Sequence, residues 1–168
     1  MSTRNNYRKE YSHAVRLATM SRIALVEPAD VMPAITELMR QNWDETGFGF
    51  EFKPSVETYQ AVVDLGLMFV LAAFDGDEII GYCTMTVTNH MHNPAIKVAS
   101  NDALFVRPDR RGITAGRLII AAEKEAAKRG ATRVLWHTRA GTDLANAFTR
   151  RGYTPADIVV MKEIQNGN

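Results

Sequence analysis

Residues 102–138 place the tightest constraint on what this chain can fold into. An apolar run from Asp102 to Val106 stops at Pro108, which cannot donate to a sheet ladder. A basic turn, Asp109-Arg110-Arg111-Gly112, leads directly into a helical pattern from Ile113 to Arg129. Ala115, Leu118, Ile119, Ala122 and Ala126 share one face of it, and Gly130 closes it. A further strand run, Arg133 to Thr138, follows at once. Strand, helix and strand joined this closely make a right-handed crossover, so the two strands lie parallel in one sheet.

The remaining segments supply antiparallel partners. Arg22 to Val26 reads as a short strand. Asp30 is placed to cap a helix bearing Val31, Ile35, Leu38 and Met39 on one face, with Pro33 in its first turn, where the absent N–H costs little. Trp43 to Lys53, rich in glycine and aromatics, reads as a loop. A second helix starts near Pro54-Ser55 and carries Val56, Tyr59, Val62 and Val63. Met68 to Phe74, the turn Asp75-Gly76-Asp77 and the alternating run Glu78 to Thr88 form a hairpin. Asn89 to Asn93 interrupts that pattern. Asp143 to Arg151 is a helix ending at Gly152, and Ile158 to Lys162 a last strand. The expected order is β-α-α-β-β-β-α-β-α-β, an α/β chain with a central mixed sheet. One domain spans 22–168 behind an N-terminal extension, 1–21, that is part flexible and part packed.

Composition removes several function classes. A net charge of +1 over 168 residues argues against a protein that coats nucleic acid or anionic membrane. No apolar run approaches the ~18 residues of a membrane span. Residues 1–21 lack the apolar core of a signal peptide, so a cytoplasmic location is expected. Cys83 is the single cysteine, which excludes an internal disulfide and any multi-cysteine metal site. Within an alternating strand it reads as a small buried residue rather than a nucleophile.

The turn before the long helix has the physical character of a phosphate site. The first turn of a helix leaves its N–H groups unpaired, and the macrodipole adds about half a positive charge there. Small residues let a diphosphate approach that backbone, and Arg110, Arg111 and Arg117 add charge. The segment has neither the Lys-Ser/Thr of a P-loop nor the glycines of the dinucleotide fingerprint.

It does resemble motif A of the GNAT acyltransferase superfamily, in which a strand ending V-x-P precedes R/Q-x-x-G-x-G/A. Val106 and Pro108 match the first part, and Arg111 and Gly116 match the ends of the second. Thr114 stands where the family has its middle glycine. Gly81-Tyr82, His92 with Asp102 ten residues on, His137 and the ending Arg151-Gly152-Tyr153 look like a branch of that superfamily common in phages and prophages.

The resemblance implies a GNAT-like fold with a splayed parallel strand pair, and acetyl-CoA as acyl donor. Its diphosphate would lie on Arg111, Gly112, Ile113, Thr114, Ala115, Gly116 and Arg117. Its pantetheine arm would pair with the backbone of Leu104, Phe105 and Val106 like an added strand. An amine, on a small molecule or a protein, would attack the thioester directly, with an N–H near Leu104 or Phe105 stabilising the oxyanion. Asp102 is the first candidate for the base, directly or through water, set against a strand-end carboxylate that caps a turn or pairs with an arginine.

His92 and His137 are alternative bases, since histidine ordinarily titrates near neutrality. His92 lies in a polar loop that could overhang the acceptor. His90 and His92 lack a convincingly spaced third ligand, so no metal is expected. Glu45 and Glu51 read as loop carboxylates that could bind a cationic acceptor. The family's usual general acid is a tyrosine, and the corresponding position here is Phe148. Tyr153 or water could substitute.

That phenylalanine keeps open a second class, a CoA-binding module without turnover. A third, a nucleic-acid or host-factor binder using Arg107 to Arg111, has little charge excess behind it. The oligomeric state is open, with a homodimer among the expectations.

Overall fold

The structure is a computed structural model that describes residues 21–47, 49–160 and 162. The expected extension over residues 1–20 lies outside the described residues. The strands are β1 (Arg22–Val26), β2 (Met68–Asp75), β3 (Glu78–His90), β4 (Asn93–Val106) and β5 (Ala131–Leu135), and the helices α1 (Pro28–Thr46), α2 (Val56–Asp64), α3 (Ile113–Lys128) and α4 (Asp143–Arg150). A single 3-10 turn, Pro108–Arg110, precedes α3. Among the described residues the strands form one sheet in the order β1-β2-β3-β4-β5. β4 and β5 are parallel and every other neighbour pair is antiparallel, so the expected mixed sheet and its crossover are present.

Strand alternation sorts the core into two layers. On one face Leu118, Ala122 and Ala126 of α3 pack with Phe69, Leu71, Met85, Ala99 and Val106. On the other, Val31, Met32, Ile35, Leu38 and Met39 of α1 pack with Tyr82 and Phe105, joined by Val56 and Tyr59 of α2. Burial at roughly 25 cal/mol per Å² of apolar surface makes these layers the main source of stability.

Several boundaries differ from expectation. α1 begins at Pro28, whose fixed φ suits a first helical position, so Pro33 falls inside the helix and Asp30 in its first turn. α1 also runs on to Thr46, because Gly47 supplies a left-handed cap (φ 66°) whose N–H bonds Trp43 O. Trp43 to Thr46 are therefore helical and not part of a loop. Asn89 to Asn93 does not interrupt the sheet. β3 continues to His90 and β4 starts at Asn93, pairing with it across a tight turn, since a cross-strand ladder imposes extended backbone regardless of local propensity.

The chain divides into two compact units between Trp136 and His137. In the second, α4 is capped by Thr142, whose side chain accepts from Ala145 N. The buried Phe148 ring meets Tyr153 edge to face, with centroids 4.8 Å apart. The expected strand over 158–162 does not form among its described residues, and Ile158, Val159 and Val160 are exposed. An apolar β-branched run specifies a strand only when a neighbouring edge pairs with it.

Gly81 lets β3 and the end of β4 close up. It faces Val106, and a Cβ there would stand 2.8 Å from Phe105 O and 2.9 Å from Val106 Cγ2. Gly81→Ala is expected to cost about 1–3 kcal/mol, read as a lowered urea midpoint with an unchanged slope.

Candidate active site

Two features meet at the C-terminal end of β4. The first is an open strand edge. β5 pairs with β4 only from Lys97 to Ser100, and its last partner, Leu135, lies opposite Ser100. From Asn101 to Val106 that side of β4 has no strand beside it among the described residues. Backbone direction alternates along a strand, and Arg107 N bonds Ile80 O of β3 at 2.9 Å. Phe105 and Ala103 therefore turn their backbone toward β3, whereas Leu104 and Val106 turn theirs toward the open side. Val106 O accepts from Arg111 Nε at 3.0 Å, and the Leu104 N–H and C=O face the gap.

The second feature is the start of α3. Gly112 adopts φ 84° and ψ −106°, a backbone only glycine takes without strain, and no side chain caps the helix. The first backbone bond of the helix is Gly116 N to Gly112 O at 3.0 Å, which leaves the N–H groups of Ile113, Thr114 and Ala115 for a ligand. Thr114, in place of the family's middle glycine, is 1% exposed, so its side chain turns inward and does not block these donors.

The arginines of the turn are less available than the sequence suggests. Arg107 pairs with Glu78 at 2.6 Å and Asp109 at 2.7 Å, and its guanidinium holds the Asp109 carboxyl below the ordinary carboxylate range. Arg110 Nη1 lies 2.7 Å from Asp75 Oδ2, an ionic contact without hydrogen-bond geometry, since that buried nitrogen has no hydrogen-bond partner. Arg111 Nη2 binds both oxygens of Glu45, at 2.5 and 2.7 Å, while its guanidinium lies 5.5 Å from the Phe105 ring centroid. Arg117 donates to Ser21 Oγ at 3.1 Å. Glu45, expected as a loop carboxylate, is the penultimate residue of α1 and the ion-pair partner of Arg111.

Asp102 sits at an irregularity in β4. Thr84 pairs with Ala103 and Met85 with Asn101, so Asp102 is an extra residue in the ladder, a β-bulge. The packing confirms the offset: Ala99 and Leu104 both face α3, although they are an odd number of residues apart. Asp102 and Ala103 consequently both face α1 and α2. There Asp102 Oδ2 accepts from Thr84 Oγ1 at 3.0 Å and from Tyr59 Oη at 3.4 Å. Asn42 of α1 donates to the neighbouring Tyr82 Oη at 3.2 Å. Asp102 is thus held by hydroxyls and by no arginine among the described residues.

Of the two histidines, His92 is remote from this cluster along β4. His92 is at the hairpin tip, exposed, with its N–H bonded to His90 Nδ1 at 3.2 Å. The run of β4 from Asn93 to Asp102, at ~3.3 Å per residue, puts roughly 30 Å between them, so His92 does not share a reacting atom with Asp102. His137 follows β5 as an exposed residue at the start of the second unit. Cys83 is fully buried, and burial pushes its thiol well up, out of the nucleophilic range.

Tyr59, Thr84, Asn42 and Tyr82 were not evident as site residues in the sequence. Tyr59 reads there as one more residue on the apolar face of α2, and Thr84 as one of many β-branched strand residues. Their meeting with Asp102 spans 43 and 18 residues of chain, beyond any local pattern.

With this geometry in place, the comparisons with known proteins are consistent. A profile of the acetyltransferase (GNAT) family matches residues 34–153, and the chain belongs to that family of acyltransferases. Among curated proteins no sequence matches. Solved structures with the same fold include an aminoglycoside acetyltransferase from an uncultured soil metagenomic sample in complex with sisomicin. It is 19% identical with a TM-score of 0.69, over 90% of this chain and 99% of that one. A ribosomal-protein-alanine N-acetyltransferase from Brucella melitensis biovar Abortus 2308 is 15% identical with a TM-score of 0.64, over 88% and 99%. A predicted acetyltransferase with acetyl-CoA from Clostridium acetobutylicum is 14% identical with a TM-score of 0.67, over 86% and 96%.

Burial, followed by the charge and the hydrogen bond of Asp102, pushes the Tyr59 phenol up from 10.0 to about 12. A phenol whose native value exceeds its unfolded one contributes fully below the unfolded value and loses that contribution as pH rises through the native one. Stability is therefore expected to fall across pH 10.0 to 12, and Tyr59→Phe to flatten that fall in urea melts taken at successive pH values.

Proposed function

We propose that this chain transfers an acetyl group from acetyl-CoA to an amine, on a small molecule or a protein, by direct attack in a ternary complex. One observation carries the reading: the open backbone edge at Leu104 ends one short turn before the unpaired N–H groups of Ile113, Thr114 and Ala115. That juxtaposition suits a donor whose extended amide-bearing arm terminates in a diphosphate. The N–H groups of residues 113–115 would hold the diphosphate, and Leu104 would bond the arm or the thioester oxygen. A donor aimed at a developing oxyanion is worth roughly 3 kcal/mol. The free carboxylate side of Asp102, facing α1 and α2, would take a proton from the amine.

Glu45 gives the phosphate turn a competitor. A diphosphate drawing on Arg111 must displace the carboxylate, and both side chains of the pair are nearly half exposed. Exposed pairs are worth about 0.2–1 kcal/mol, so Glu45→Gln is expected to tighten acetyl-CoA binding by up to about fivefold in a calorimetric titration. Acetyl-CoA is also expected to raise the melting temperature by mass action, and no shift at millimolar ligand would remove the reading.

Phe148 favours a second reading, a CoA-binding module without turnover, because it removes the hydroxyl through which the family usually protonates the thiolate. Thiol release separates the two. With acetyl-CoA and a panel of sisomicin, spermidine and lysine-bearing peptides, the enzyme reading expects release with at least one acceptor. It also expects Asp102→Asn to lower the rate by roughly 10²- to 10⁴-fold. A thermal shift with no release for any acceptor would favour the module.

A further inference from the structure

The two oxygens of Asp102 are not equivalent. Thr84 Oγ1 accepts the backbone N–H of Ala103 at 2.9 Å and donates to Asp102 Oδ2 at 3.0 Å. Thr84 is 2% exposed, so its hydroxyl is shielded from water, whereas Asp102 itself is exposed. A hydroxyl has one hydrogen, and with the Ala103 N–H on its lone pair that hydrogen is committed to Oδ2. The Tyr59 hydroxyl points at the same oxygen at 3.4 Å and remains a donor throughout the neutral range. Among the described residues nothing bonds Oδ1.

The bulge and the threonine also depend on each other. The ladder between Thr84 and Met85 of β3 has to accommodate Asn101, Asp102 and Ala103 of β4. Thr84 satisfies the Ala103 N–H with its side chain, and the same oxygen captures the carboxylate that the bulge turns onto this face. Bulges beside active sites re-aim side chains in this way.

We propose that Thr84 is a positioning residue for acyl transfer: with Tyr59 it anchors Oδ2 of Asp102, and so presents Oδ1 as the atom that takes the proton of the acceptor amine. This rests on Asp102 being the base of the proposed acetyltransferase. The acceptor ammonium gives one proton to Oδ1, its N–H bond breaking as the O–H bond forms. The freed lone pair makes the N–C bond, the C–S pair leaves with sulfur, and the second nitrogen proton reaches the thiolate through solvent. Asp102 then returns its proton to water.

The test is a set of variants of the full chain assayed for thiol release with acetyl-CoA and whichever of sisomicin, spermidine or a lysine peptide turns over. Thr84→Ser keeps the hydroxyl and is expected within about twofold of the parent. Thr84→Val keeps the shape and loses it, and kcat is expected to fall roughly 10- to 100-fold with the KM for acetyl-CoA unchanged, as a misplaced group costs. In an Asp102→Asn background Thr84→Val is expected to add nothing. A readout independent of turnover is the ultraviolet titration of the Tyr59 phenol, defined by difference from Tyr59→Phe. It is expected to move to lower pH in Thr84→Val, where Asp102 is no longer held beside it, and to stay in place in Thr84→Ser.

Should Thr84→Val fail to fold, Tyr59→Phe carries the same test, with a smaller loss of kcat that vanishes in Asp102→Asn. Equal losses in Thr84→Val and Thr84→Ser, full additivity with Asp102→Asn, or an unmoved phenol would each overturn the positioning role. Undiminished turnover in Asp102→Asn, or no turnover with any acceptor, would instead remove the reading beneath it.

Discussion

Between Gly81 and Thr84, β3 lies flush against the last residues of β4, and both halves of the candidate site hang from that contact. At one end the missing Cβ of Gly81 lets Phe105 and Val106 close in, just before Pro108 ends the strand. At the other, the Thr84 hydroxyl takes up an N–H that a regular ladder would have paired with a carbonyl. Between them Leu104 is left with backbone groups that face away from β3. Unpaired backbone groups are costly to bury, so a strand edge left open in this way adds nothing to the stability of the sheet.

The electrostatics of the site are local. Net charge is close to zero, and the arginines of the turn before α3 are largely neutralised by Glu78, Asp109, Asp75 and Glu45. What remains directed outward is the set of backbone N–H groups at the start of α3. A diphosphate would be recognised by oriented dipoles more than by an excess of cations, which gives selectivity for shape where a basic patch would give general attraction to anions. The Arg111–Glu45 pair also ties the last turn of α1 to the turn before α3, joining the element that precedes the aromatic segment at Phe50 and Phe52 to the one that precedes α3.

Much of the fold could be read from local pattern, because its elements announce themselves within a few residues. The Asp75–Asp77 turn between two β-rich runs, the Ser55 cap of α2 and the apolar stripe of α3 closing before Gly130 are all short-range signals, and each element formed within a residue or two of expectation. The differences arose where the deciding partner is distant. Asn89, His90 and Asn93 extend only because β3 and β4 pair there, and 158–160 remains outside any strand for want of a paired edge.

The same division holds for the site. The sequence by itself determined the turn into α3, since Pro108, Gly112 and the helix that follows are contiguous and the physics of a helix start depends on nothing further away. It also nominated Asp102, from its place at the head of a strand run. Only the tertiary structure decided where Asp102 points: a one-residue offset between two strands turned it to the face shared by α1 and α2, where Thr84 and Tyr59 hold one oxygen and leave the other open. A bulge is a property of two strands in register, and a single strand's sequence cannot specify it.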